Sequence, residues 1–380
     1  MLSPTLFPLF CALFLCLPVA VIFTVQRELT GVASPEFGFR SLSVFSLYAR
    51  NVPDASPPPP PAIPKDDEPL LRLASHVNPN LPPGSTRKVA FMYITTTPLP
   101  FAPLWEMFFN GSSSTDLYNV YIHADPTRDY DPGFSGVFSN RVIHSKRSER
   151  YTPTLAAAAR RLLAHALLDD PRNYIFALFS PSCVPIHSFD FTYKTLVSSR
   201  KSFIEILKDE PWQFERWAAR GDDEMLPEVR LEDFRIGSQF WALTRRHARM
   251  VARDRRIWEK FDKTCVREDT CYPEENYFPT LLSMGDPRGC VPATLTHVDW
   301  TVSDGGHPRM YEAEEVAPEL IVRLRESRPR YGENGINGSD WSVSKRSDPF
   351  LFARKFSLES LEALLGMAKG VLFNDSACGA

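Results

Sequence analysis

With 380 residues, 43% of them hydrophobic, and with 27 Phe and 7 Trp, the chain has material for a sizeable core: two average domains, or one large α/β domain with non-globular segments. A formal net charge of −3 offers no basic surface for a phosphate backbone and argues against a nucleic-acid partner. The 34 prolines are unevenly placed, and they set the organisation along the chain.

Leu6–Val25 (LFPLFCALFLCLPVAVIFTV) carries no charge and is as long as a bilayer-spanning helix requires. Met1–Thr5 lacks the basic start of a cleaved signal peptide. The expectation is a short cytoplasmic tail over residues 1–5, an uncleaved signal-anchor in the lipid bilayer over residues 6–25, and a lumenal remainder; a cleaved signal is the alternative. The positive-inside rule gives that orientation no support, because Arg27 follows the span. Residues 26–86 are expected to form a stem. The run Pro57–Pro61, followed by Pro64, Pro69, Pro79, Pro82 and Pro83, favours an extended, semi-rigid spacer.

A folded domain is expected over residues 87–380. Val89–Ile94 reads as a buried first strand, the prolines from Pro98 to Pro103 interrupt it, and Leu104–Phe109 reads as helix. Tyr118–Ala124 and Arg141–His144 read as further strands, Pro153–Leu168 as a helix with proline in its first turn, and Tyr174–Phe179 as a fourth strand. Strands alternating with helices predict an α/β fold on a mainly parallel sheet. No G-x-G-x-x-G or Walker motif follows the first strand, so an ordinary dinucleotide or P-loop site is not indicated.

Cys11 and Cys16 fall in the apolar span, and Cys183, Cys265, Cys271, Cys290 and Cys378 lie beyond it. Cys265 and Cys271 enclose Val-Arg-Glu-Asp-Thr, a short loop that a disulfide closes in an oxidising compartment; for a zinc site no nearby His/Cys pair completes a ligand set. Asn110-Gly-Ser, Asn337-Gly-Ser and Asn374-Asp-Ser are glycosylation acceptors if the chain is lumenal.

Two stretches carry the chemistry. In Cys271-Tyr-Pro-Glu-Glu-Asn-Tyr-Phe-Pro-Thr280, Glu274 and Glu275 lie among aromatic residues, whose exclusion of water can raise a carboxylate's pKa toward that of a general base. In Leu351-Phe-Ala-Arg-Lys-Phe356 two cations lie in an apolar, strand-like run. A carboxylate base that takes an acceptor's proton and a cation that neutralises a departing diphosphate are what sugar transfer from a nucleotide donor needs. Taken singly, each has a plainer reading: most Glu-Glu pairs are solvated surface, and Lys355 would serve as a helix-flanking cation.

These pieces occur in an order that resembles the core-2/I-branching glycosyltransferase family, and closely its plant, brittle-culm-type branch of type II membrane proteins. The carrying segments are Lys88–Pro103, Pro153–Leu168, Phe176–Ile186, Ser202–Gly221, Met225–Arg246, Cys271–Met284, Thr294–His307 and Phe350–Ser357. The resemblance implies a GT-A-type fold, an inverting mechanism, a UDP-sugar donor, a glycan or glycoprotein acceptor, a β-linkage, a Golgi membrane location and no metal cofactor. It puts Glu275 in the place of the general base, with Glu274 as the alternative, and Lys355 in the place of the diphosphate-binding lysine. Asp125 and Thr95 are implied as nucleotide-sugar contacts, and Gly237–Trp241 as a turn and strand bordering the donor pocket. The family's second diphosphate cation has three candidates here: Arg328, Arg330 and Lys345.

On the acceptor side the resemblance implies Glu205, Arg216 and Trp300, the last as a face for sugar stacking. Two positions depart from the family: Gln213 stands where a lysine is expected and Val302 where the animal enzymes have tyrosine. The animal precedent for the donated sugar is N-acetylglucosamine; the plant alternative is glucuronic acid or another sugar on arabinogalactan-type or cell-wall glycans. By residue type alone Trp300 and Trp217 also fit a core, Asp125 a helix N-cap, Glu205 a surface carboxylate and His123 a packed histidine. His123-Ala-Asp125 is not a D-x-D metal motif, because histidine cannot supply its first hard oxygen. Two other classes stay open: a catalytically inactive lumenal glycan-binding protein of the same fold, and a secreted hydrolase. The hydrolase would need two carboxylates flanking one bond, and Glu274–Glu275 on an extended segment would point apart.

Overall fold

The computed structural model describes residues 62–302, 307–332 and 346–378. The expected span at residues 6–25, most of the stem, Asn337 and Lys345 lie outside the described residues. Among the described residues no helix is long and apolar enough to cross a membrane.

The helices are α1 Asp67–His76, α2 Ala102–Asn110, α3 Pro153–Asp169, α4 Phe189–Ser198, α5 Gln213–Trp217, α6 Arg245–Arg253, α7 Trp258–Phe261, α8 Pro273–Gly285, α9 Pro318–Glu326 and α10 Ser360–Met367. The strands are β1 Lys88–Thr95, β2 Tyr118–Ala124, β3 Asn173–Phe179, β4 Val184–Pro185, β5 Ser202–Phe203, β6 Ala242–Thr244, β7 Cys290–Val291, β8 Thr296–Val298 and β9 Phe352–Arg354.

Six strands form one sheet in the order β2-β1-β3-β6-β5-β7, and three form a second in the order β4-β9-β8. The fold is α/β with a mixed sheet flanked by helices. Parallel pairing of β1 with β2 and β3 gives way to antiparallel pairing of β6 with both β3 and β5, and β5 pairs with β7 in parallel, so the sheet is mixed with parallel pairs in the majority. Every residue of β1 is buried, as expected of a strand covered on both faces. Its side chains alternate: Val89, Phe91 and Tyr93 pack with Trp105 and Phe108 of α2, while Ala90, Met92 and Ile94 join Leu162 and Leu163 of α3.

Four sequence expectations change. Arg141–His144 is not a strand: Val142 makes one isolated bridge to Ile122, and the charged flanks leave this edge exposed. The folded unit begins before residue 87, because α1 buries Leu70 and Ala74 in the core shared with α3 and α6. The strand after Gly237 starts only at Ala242. The Glu274–Glu275 segment is helical rather than extended. Pro273 opens α8 at a position that tolerates proline, and two acidic residues follow in its first turn, where the helix dipole favours them.

Candidate active site

Glu275 projects from the first turn of α8 and forms an ion pair with Arg216 of α5, Nη1 to Oε2 at 2.8 Å. The Arg216 guanidinium also lies 4.4 Å from the centroid of the Tyr272 ring. The pair is about a quarter exposed at each partner, 21% and 29%, so the carboxylate is oriented by a cation yet open on one side. Glu274 points inward. It is 3% exposed, its Oε2 has no hydrogen-bond partner, and burial, helped by the charge on Glu275, pushes its pKa up to about 8. At neutral pH Glu274 is thus mostly a neutral acid, and Glu275 is the accessible carboxylate. The two differ in environment, one buried and the other open to solvent.

Gly237 locks this corner. Its N–H donates to the Glu275 carbonyl at 2.8 Å, and a Cβ there would stand 2.1 Å from the Glu205 carbonyl oxygen. Only glycine lets the two segments approach so closely. The result sets Glu205 beside Glu275. Glu205 is half-buried rather than a free surface carboxylate, and desolvation lifts its pKa to about 7, with Arg330 opposing and Glu275 and Glu210 adding to the rise.

Lys355 follows β9, which is held between β4 and β8. Burial, helped by the charges of Arg354 and Arg150, lowers its pKa to about 8. Its Nζ lies 2.8 Å from Nδ1 of His307, and Arg150 Nη1 lies 2.6 Å from Nε2 and 3.1 Å from Nδ1 of the same ring. Arg354 lies over the Phe240 ring at 4.6 Å and feels the charges of both Glu275 and Arg150. The acid and cation sides meet through aromatic residues, since Tyr151 contacts Tyr272 edge-on at 5.4 Å while Arg150 lies 5.0 Å from the Tyr151 centroid.

Thr95 ends β1, Asp125 directly follows β2, and both are buried. The Asp125 carboxylate accepts from Thr127 N–H and hydroxyl at 2.8 and 2.7 Å on Oδ1 and from the Ser148 N–H at 2.9 Å on Oδ2, so it anchors two loops rather than capping a helix. Thr95 closes a local turn through its hydroxyl, which accepts from the Thr97 N–H at 3.0 Å. His123 is a packed histidine: it is 1% exposed, burial takes its pKa down to about 4, and its Nε2 accepts from the Lys146 N–H.

Trp300 is 57% exposed just beyond β8, free to present a ring face, whereas Trp217 is 6% exposed and donates its indole N–H to the Val229 carbonyl within the core. Gln213 is a buried brace whose amide donates to the Leu231 and Phe234 carbonyls, and Val302 is exposed. Of the candidate second cations, Arg328 donates to the carbonyls of residues 325–327, and Arg330 pairs with Glu210. The groups that stand beside Lys355 are His307 and Arg150. Sequence reasoning passed over Arg150 because it sits in the charged run Ser145-Lys-Arg-Ser-Glu-Arg150, where nothing marks one cation above the next. Asn110 is exposed at the end of α2, and Asn374 is half-buried in a local turn with Ser376. Cys265 and Cys271 are disulfide-bonded, as their spacing suggested, with Cα atoms 6.1 Å apart. Among the described residues no group of three or more His, Cys, Asp or Glu side chains is placed to hold a metal ion.

Residues 89–325 match the family model for the core-2/I-branching enzyme. Over 316 residues the chain is 32% identical to a rice protein (Oryza sativa subsp. japonica) named Glycosyltransferase BC10, an alignment covering 73% of this chain and 75% of that relative.

Proposed function

The chain belongs to the core-2/I-branching enzyme family and is a glycosyltransferase, and on that premise we propose that it moves a sugar from a UDP-sugar to a hydroxyl of a glycan or glycoprotein, with inversion to a β-linkage. Glu275 takes the proton of the acceptor hydroxyl while that oxygen forms its bond to the anomeric carbon. The bond from that carbon to the diphosphate breaks in the same step, and the leaving group departs with the electron pair toward Lys355. A single displacement from the face opposite the diphosphate inverts the anomeric centre. Glu205, Arg216 and Trp300 hold the acceptor, Trp300 through ring stacking. Asp125 and Thr95, at the ends of parallel strands where α/β folds bind ligands, border the nucleotide in a GT-A-type arrangement.

One observation carries this reading: an oriented, solvent-open carboxylate and a half-buried cation cluster are joined by Tyr272 and Tyr151 in a single site. The charges already gathered around Lys355 support a metal-independent step. Asp125 has both oxygens committed to its own loops.

The Cys265–Cys271 disulfide supports a lumenal setting, and a single-pass type II Golgi protein anchored through residues 6–25 fits it. The screen that tests the function measures binding and hydrolysis of individual UDP-sugars, then transfer to glycan acceptors. At least one donor should be bound and turned over. A protein that binds glycans but neither binds nor cleaves any UDP-sugar is the inactive scaffold instead.

A further inference from the structure

We propose that Arg150 is the second cation of the diphosphate site, its guanidinium closing on the donor's diphosphate from the side opposite Lys355. The proposal rests on the nucleotide-sugar reading of this site and adds to it a residue from a different loop. Arg150 lies in the loop that leads from β2 into α3, far along the chain from Lys355, yet both reach one imidazole. Lys355 Nζ is 2.8 Å from Nδ1 of His307, and Arg150 Nη1 is 2.6 Å from Nε2.

A neutral imidazole has one ring lone pair and one N–H, so it satisfies one such donor and confronts the other with a proton. Protonating the ring only adds a third positive charge. Two cations thus converge on one ring, and burial together with the charges of Arg354 and Arg150 lowers the pKa of Lys355. A diphosphate placed among these groups offers acceptor oxygens to all of them at once, and the planar guanidinium fork suits phosphate oxygens in pairs.

The loop is built to hold Arg150 there. Ser148 donates its N–H to the buried Asp125 carboxylate at 2.9 Å, which fixes the backbone two residues upstream. Tyr151 takes a left-handed φ of 63°, uncommon outside glycine, and contacts Tyr272 beside Arg216. The neighbouring cations have other partners: Lys146 pairs with Asp67 and Arg147 with Glu149, while the salt bridges among the described residues include none to Arg150. Asp125 thereby gains a role that requires no contact with the nucleotide, as the positioning residue for Arg150.

The test is calorimetric titration of UDP, uridine and inorganic pyrophosphate into the wild-type protein and into Arg150→Ala, Arg150→Gln and Arg150→Lys variants, each checked by its melting temperature. Removing one charge-assisted phosphate contact should weaken UDP roughly 10- to 100-fold and leave uridine unchanged. Lysine should recover part of the loss, and pyrophosphate should compete with UDP in the wild type far better than in Arg150→Ala. If the alanine variant does not fold, the glutamine and lysine variants carry the same comparison. Wild type that binds UDP more tightly than uridine, with Arg150→Ala and Arg150→Gln both within twofold of it, overturns the role of Arg150 and leaves the nucleotide-sugar reading standing. Wild type that shows no preference for UDP over uridine overturns both.

Discussion

Replacing Glu274 by glutamine removes a carboxyl that the fold has buried without a partner for Oε2. Its pKa rises from the ordinary 4.5 to about 8, chiefly through desolvation and secondly through the charge on Glu275. A carboxyl with a raised folded-state pKa stabilises the fold fully below the unfolded value of 4.5 and progressively less as pH climbs through about 8. At about 1.4 kcal/mol per pH unit, the interval from 4.5 to 7 corresponds to roughly 3 kcal/mol, an upper bound because water entry relaxes the penalty. Glutamine keeps the shape of the neutral acid and cannot ionise. Urea unfolding of wild type and Glu274→Gln should therefore nearly coincide near pH 4.5 and separate steadily above it, the variant ahead by about 1–3 kcal/mol at pH 8. The variant should also transfer sugar within a few-fold of wild type. Parallel pH profiles would refute the burial argument, and loss of transfer with nucleotide binding intact would move the general base from Glu275 to Glu274.

Lys355→Ala should weaken UDP binding and turnover together by roughly a hundredfold, with no rescue by manganese, while wild type stays active in chelator. Arrest by chelator with restoration by manganese would contradict the metal-free step. Gly237→Ala drives a Cβ into the Glu205 carbonyl and should cost about 1–3 kcal/mol in chemical denaturation along with most of the activity; a variant as stable as wild type would mean the segments can separate. With a C-terminal tag, the full chain should resist carbonate extraction and carry glycan on at least one sequon. A soluble product beginning beyond Val25 would establish a cleaved signal.

Elements whose pattern had one physical meaning were legible in the sequence. β1 is a continuous apolar run of strand length, β2 matches Tyr118–Ala124, and α3 follows its first-turn proline. The helix α8 was concealed: it opens with proline, holds aromatic residues and a second proline, Pro279, inside it, and presents no clean apolar stripe. The helix α1 was hidden among prolines that mark a spacer on composition alone. Within the site, sequence motifs pointed to Glu275 and Lys355 because each sits in a distinctive local run. Their link through Tyr272, Tyr151, Arg150 and His307 is a product of tertiary folding, with partners far apart in the chain. Gln213 shows the converse: a position that family likeness marks for acceptor contact is, in this fold, an internal brace.

The central claim, that Glu275 is the base of a sugar transfer from a UDP-sugar, is tested most directly by Glu275→Gln assayed for transfer and UDP affinity on one preparation. The substitution preserves shape and removes the proton acceptor. Transfer should fall roughly 10²- to 10⁴-fold while UDP affinity stays within about twofold. Transfer within a few-fold of wild type would contradict the claim.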